Sequence, residues 1–255
     1  MGEETKLEGG LRLKGSSKSN RAEEPLITVI TVVFNGAEYI EDTIKNIVSA
    51  SYGNVEYIIV DGGSTDGTLD IIREYEDFVD YWLSEPDKGI YDAMNKGWAL
   101  ANPGSRILYL GAGDKILKLP GAQELIDAKD SVLYGDVQLN NRLFESCINW
   151  RFKLGNTLHH QALLVPKKLH PKSPFNTKYK VYADYDFNQR LYKLGAPFKR
   201  SQNLVGYALP DGISSQIDIK EMVSVTKSNN GISWALLSAL YCSYQAIKIK
   251  RMQRV

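Results

Sequence analysis

A chain of 255 residues with 43% apolar and 24% charged side chains has room for one α/β domain with additions, and for a sizeable core. Its formal net charge of +1 excludes nucleic-acid binding driven by bulk positive charge. The two cysteines, Cys147 and Cys242, have neither zinc spacing nor the number a disulfide framework needs, so they read as reduced thiols of a cytoplasmic protein.

Residues 1–24 are rich in Gly, Ser, Lys and Glu and lack the apolar stretch of a secretory signal; they are expected to form a flexible tail. Leu26–Phe34 is a nearly continuous apolar and β-branched run, the pattern of a strand buried on both faces of a parallel sheet. Asn35-Gly36 breaks it, and Tyr39, Ile40, Ile44, Ile47 and Val48 then recur at helical spacing. Val55–Val60 is a second such strand, ending in Asp61-Gly62-Gly63. Ser64-Thr65-Asp66 reads as the N-cap of a helix carrying Leu69, Ile72 and Tyr75. A strand at Tyr81–Ser84, a helix at Gly89–Ala101 and a strand at Ile107–Leu110 follow, the last closed by Gly111-Ala112-Gly113-Asp114.

Strands alternating with helices predict βαβ units in a parallel sheet. Right-handed crossovers place the strand ends along one edge, where ligands of open α/β sheets bind. Asn35, Asp61 and Asp114 each stand just beyond the last apolar residue of a strand.

The second half is less regular. Strands are expected at Ser131–Val137 and Arg142–Ser146 around an Asn140-Asn141 turn, at His160–Val165, at Phe198–Ser201 and at Leu204–Ala208. A helix is expected over Tyr182–Leu194, capped by Gly195, and helical pattern resumes from Ile217 with a break at Asn229-Asn230-Gly231. No apolar run reaches the length of a membrane span.

The segment Asp61–Thr68 is the densest functional signal. Its glycines allow close backbone approach to a ligand, a strand-end carboxylate can accept hydrogen bonds from a ribose or base, and a helix N-terminus suits anions. The same residues equally make a good turn followed by a cap.

Pro25–Asn35, Ile58–Thr68 and Ser84–Gly97, in this order and spacing, resemble the opening of the family 2 glycosyltransferases. The Ser-Glu-Pro-Asp-Lys-Gly-Ile-Tyr-Asp segment at 84–92 is similar to a subgroup acting in bacterial surface-polysaccharide synthesis. The resemblance is close over residues 25–115 and looser to residue 215. It implies a Rossmann-like glycosyltransferase A-type fold with a mainly parallel central sheet flanked by helices. It further implies a nucleotide-sugar-binding half at 25–115, an acceptor half at 116–215 and a C-terminal helical extension at 216–255. The activity implied is inverting transfer of a hexosyl or N-acetylhexosaminyl group from a UDP-type donor to a saccharide or lipid-linked acceptor.

By position, the resemblance implies that Asp61 holds the uracil or ribose, with Asn35 and Gly62 beside it, and that Lys88 and Asp92 flank the donor. Asp114 matches the last member of an Asp-x-Asp motif that holds Mg²⁺ or Mn²⁺ on the donor diphosphate. The first position of that motif is Ala112, which leaves one carboxylate; alone, Asp114 is equally a strand-end turn residue. Asp184 matches the catalytic base, which the chemistry requires because an acceptor hydroxyl must lose its proton as it attacks. Asp186 competes for that role, and both acids could instead decorate a helix N-terminus. His160 is expected near the donor diphosphate or the acceptor, with a structural histidine or a surface pair with His159 as the alternative. Asp211–Ser215 resembles a loop over the donor and is equally well a plain turn.

From Ile232 on, apolar and aromatic residues precede Lys248, Lys250, Arg251 and Arg254. This suits a helix lying on the inner membrane face, or one packed on its own domain or on a second copy in a homodimer. Two other functions compete with glycosyl transfer. A sugar nucleotidyltransferase would carry a basic Gly-rich loop after the first strand, where Phe34–Glu38 has no basic residue. A non-catalytic scaffold would explain Ala112 and Ala183, where acids are common in the family.

Overall fold

The computed structural model describes residues 6–140, 142–170, 172–210 and 218–252, with side chains as far as residue 245. Four parallel strands form its first half: β2 (Ile27–Val33), β3 (Val55–Asp61), β4 (Tyr81–Ser84) and β5 (Arg106–Gly111). Helices α1 (Ala37–Val48), α2 (Thr68–Glu74) and α3 (Ile90–Leu100) connect them. Every residue of β2 and β3 is buried, which is why both segments read as nearly continuous apolar and β-branched runs. Val29 and Val33 pack into one core layer, and Ile30 and Val32 into the other. The register pairs Val33 with Asp61, so both first strands end at one edge.

The sheet continues without a break across residue 115. Strand β9 (Leu163–Pro166) joins β5 antiparallel and also pairs with β7 (Val132–Leu139). Beyond it lie β10 (Phe198–Ala208), parallel to β7, and β6 (Lys115–Lys118), antiparallel to β10; β8 (Arg142–Phe144) pairs with β7. The result is a mostly parallel central sheet flanked by helices, as expected. Neither β6 nor α4 (Ala122–Asp127) stood out in the sequence. The two strands expected over 198–208 are one strand with a register shift between Arg200 and Val205. The strand expected from His160 begins only at Leu163, because His160–Ala162 is a 3-10 turn. Of the Asn140-Asn141 turn, Asn141 lies outside the described residues, as does the whole Asp211–Ser215 segment.

The expected tail is corrected in its described part. Leu7–Gly9 is strand β1, antiparallel to β4, and caps that edge of the sheet. A methyl group on Gly9 would lie 2.5 Å from the Trp82 indole, and Gly10 has φ +105°. These glycines permit close packing rather than looseness. Arg12 then pairs with buried Glu56 at 2.6 Å, and Lys18 with buried Asp80 at 2.9 Å.

After α5 (Ala183–Lys193), the chain ends in a hairpin of α6 (Ile219–Asn230) and α7 (Ile232–Met252), turning at Gly231 with φ +88°. The Glu221 carboxylate of α6 accepts hydrogen bonds from the backbone N–H groups of Lys180, Val181 and Tyr182 at 2.7–2.8 Å. That clamp fixes the segment entering α5.

Candidate active site

The donor-side loops are held by their own acids. Asp61 is fully buried, and its carboxylate accepts from Gly63 N at 3.1 Å, Ser64 N at 3.0 Å, Ser84 Oγ at 2.6 Å and Ser64 Oγ. In this arrangement Asp61 shapes the loop and has no open face for a nucleotide. A methyl on Gly62 would meet the Asp87 carboxylate at 2.3 Å, so the loop approaches α3's leading turn as closely as a glycine allows. Asn35, with φ +50°, ties the first strand's loop to the second. Its N–H donates to Ser64 Oγ at 2.7 Å, and its Oδ1 accepts from Thr65 N at 2.9 Å.

The cap reading of Ser64-Thr65-Asp66 is also corrected. Gly67, with φ +96°, sits at the start of α2. Asp66 accepts instead from Ala37 N at the start of α1 at 3.0 Å, as well as from Thr68 N at 3.1 Å. At the next helix, Asp92 Oδ2 accepts from Lys88 N at 3.0 Å, which leaves the Lys88 side chain exposed at the rim.

Asp114 sits in the tight turn between β5 and β6, 6% exposed. Its oxygens accept from Gly111 N at 2.8 Å, Gln161 Nε2 at 3.0 Å and Leu209 N at 2.9 Å. Burial raises its carboxyl above the usual range, partly offset by His160 and by these donors. Asp184, 7% exposed in the first turn of α5, accepts from Tyr185 N at 2.7 Å and Asn156 Nδ2 at 3.2 Å, with the Tyr91 hydroxyl, which donates to Val181 O at 2.7 Å, lying 3.4 Å away. His160 Nδ1 lies 3.5 Å from Asp184 Oδ2. The 3-10 turn thus places two neighbouring side chains on two different acids, His160 on Asp184 and Gln161 on Asp114. Burial lowers the His160 imidazole, but the hydrogen bond and charge of Asp184, with the charge of Asp114, outweigh it and leave the group raised. His159 faces away onto Phe144, ring centroids 4.4 Å apart, and burial drops it to about 4.

Asp186 takes a different direction. It pairs with Arg190 Nε at 2.9 Å and accepts from Asn229 Nδ2 of α6 at 2.9 Å, which makes it a tie between helices. Of the two acids, only Asp184 adjoins the His160 turn.

Residues 28–112 match the family model described as Glycosyl transferase family 2. A PGL/p-HBAD biosynthesis glycosyltransferase of Mycobacterium bovis is 31% identical over 217 residues, covering 78% of this chain and 83% of the relative. The chain belongs to glycosyl transferase family 2. A putative teichuronic acid biosynthesis glycosyltransferase of Bacillus subtilis, TuaG, is 38% identical over 95 residues, 36% of this chain and 37% of that one. Among solved structures, S. aureus TarS 1-349 in complex with UDP-GlcNAc superposes with a TM-score of 0.59 at 18% identity, over 78% of this chain and 64% of that one. The mannosyltransferase PcManGT from Pyrobaculum calidifontis, in complex with GDP-Man and Mn²⁺, gives 0.55 at 17% identity, over 93% and 80%. The chain spans 38% of a longer TarS chain. These likenesses show the fold.

Among its described residues the glycosyltransferase does not present a formed metal site. Among the described residues no three His, Cys, Asp or Glu side chains gather as a ligand set. Asp114 directs both oxygens at N–H donors, and Ala112 offers no second carboxylate. A divalent cation wants several oxygen ligands at once, so these residues as arranged do not fit one.

Asn156, which holds Asp184, Tyr91 beside it, and Phe34, 63% exposed beside Gly62 just past β2, did not stand out in the sequence. An aromatic standing directly before the Asn35-Gly36 break was the available signal for Phe34.

Proposed function

We propose that this glycosyltransferase transfers a sugar, with inversion, from a nucleoside-diphosphate sugar of the UDP type to a hydroxyl of a saccharide or lipid-linked acceptor. The observation that carries this reading is the coupling of Asp184 to Asp114 through the adjacent residues His160 and Gln161. Asp184 Oδ takes the proton of the acceptor hydroxyl as its oxygen bonds to the anomeric carbon. The bond from that carbon to the diphosphate oxygen breaks, and the nucleoside diphosphate leaves with the electron pair. His160 holds the base in line and balances its charge before attack. The loop shaped by Asn35, Asp61 and Gly62 receives the nucleotide, with the Phe34 ring offered to the base. Lys88 supplies positive charge at the rim toward the diphosphate, opposite Asp92 at the start of α3. The relatives named for PGL/p-HBAD biosynthesis and for teichuronic acid biosynthesis support a cell-envelope acceptor.

A thermal-shift screen of nucleoside diphosphates and their sugars tests the donor half. A cognate donor at a hundred times its Kd stabilises the fold by about 2.7 kcal/mol. Failure of every nucleoside diphosphate to shift the transition would sink the reading. Slow hydrolysis of the cognate donor without acceptor separates a catalyst from a non-catalytic scaffold.

A further inference from the structure

The C-terminal hairpin is turned the wrong way for a helix that only packs on its own domain. The residues of α7 buried against the body are small: Ala235 at 5% exposure and Ser238 at 0%. Ser238 Oγ donates to Leu154 O at 2.6 Å and accepts from Thr226 Oγ1 at 3.3 Å, and Trp234 is covered by Lys153 at 5.0 Å. The large apolar residues face out. Ile232, Leu236, Leu240 and Tyr244, four apart and so on one stripe, are 64–70% exposed, with Leu237 beside them at 51%. Trp150, 63% exposed, extends the stripe through its edge contact with Tyr241. An apolar surface of this extent on a monomer marks an interaction face.

Charge says what covers it. No acidic residue follows Glu221, while the sequence beyond Gln245 carries Lys248, Lys250, Arg251 and Arg254. No helix among the described residues is long and apolar enough to cross a membrane. An apolar helix face in a sequence that runs on into an acid-free basic stretch fits the surface of an anionic bilayer, where the rings and leucines enter the headgroup boundary and the positive charge adds attraction to lipid phosphates. We propose that α7 docks this protein flat on an anionic lipid surface.

The docked face lies close to the reaction centre. Ser238 is bonded to Leu154, two residues before Asn156, which donates to Asp184, and Glu221 of the same hairpin clamps residues 180–182. Docking α7 therefore sets the distance of Asp184 from the membrane plane. This last point rests on the proposed role of Asp184; the docking itself does not.

Flotation of the full chain with phosphatidylglycerol-containing and pure phosphatidylcholine vesicles tests the docking without any turnover. Expected is binding to the anionic vesicles only, weakened by salt. Leu236→Ser/Leu240→Ser should lower it at least about tenfold with an unchanged unfolding transition, since both side chains are exposed. Lys250→Gln/Arg251→Gln should lower it about fivefold per charge. Equal binding to both vesicle types, no binding to either, or a solution dimer that Leu236→Ser/Leu240→Ser dissolves would each overturn the proposal, the last by assigning the face to a second copy. A failed donor screen with intact flotation would overturn only the glycosyl-transfer reading.

Discussion

Replacing Asp184 with Asn keeps the shape of the side chain and removes its charge, with two separable consequences. The first is kinetic. A positioned general base contributes about 10²–10⁴-fold, equal to roughly 3–5 kcal/mol of barrier, so transfer should fall by that factor. Donor binding should persist, because Asp184 shares no hydrogen bond with the Asn35–Asp61 loops. The second is electrostatic. The His160 imidazole is pulled down by burial and raised by the hydrogen bond and charge of Asp184 and by the charge of Asp114. Burial is the largest of these and Asp114 the smallest, so without Asp184 burial wins. Imidazole carbon–proton correlations across a pH series should therefore place His160 above the ordinary histidine range in the native enzyme and below it in Asp184→Asn. Single-turnover transfer and UDP calorimetry complete the set. Activity within about threefold of the parent would put the base elsewhere. An unmoved His160 titration would show that its 3.5 Å approach to Asp184 is not made in solution.

Acid should unfold this protein through its buried neutral histidines. Burial lowers His159 to about 4 and His170 to about 3, so below 6.5 the unfolded chain binds protons that the native chain does not. The contribution of these two histidines is full above pH 6.5 and declines toward pH 4 by up to about 1.4 kcal/mol per pH unit for each; His160, raised instead, adds stability that is full below 6.5 and is lost as pH rises above it, so an unchanged urea midpoint between pH 6.5 and 4.5 would contradict this. In Gly206→Ala the new methyl would stand 2.4 Å from the Gln161 carbonyl oxygen and push the His160–Gln161 turn off the sheet. Expected are a loss of about 1–3 kcal/mol in denaturant titration and a fall in transfer larger than the unfolded fraction explains. Calorimetry of Mn²⁺ alone should show no tight site, because Asp114 spends both oxygens on N–H groups; binding below about 10 μM without a nucleoside diphosphate would refute that.

The parallel half of the sheet was legible because burial on both faces leaves a mark no other element leaves. Ile27–Val33 and Val55–Asp61 carry it over seven residues each. Strand β6 escaped because two of its four residues are exposed, Leu117 among them, so its apolar residues and lysines follow no inward pattern. Strand β1 escaped because a glycine packed under an indole and a glycine in a linker are the same letter. Asp61 stood out as a strand-end acid, but Ser84, which takes up one of its oxygens, comes 23 residues later on another strand.

Between Asp184 and Asp186 the limit is geometric. Residues two apart on a helix point about 200° from each other, so one acid had to face the sheet edge if the other faced α6. That much follows from spacing. Which acid faces which depends on partners 24 and 28 residues before Asp184, His160 and Asn156, and on Asn229, 43 residues after Asp186. Which acid adjoins the His160 turn is therefore a property of how α5 is clamped between that turn and α6. A change that loosens that clamp, such as Glu221→Gln, should let Asp184 shift off the His160 turn, lowering single-turnover transfer while UDP binding by calorimetry, which rests on the nucleotide loops, stays unchanged.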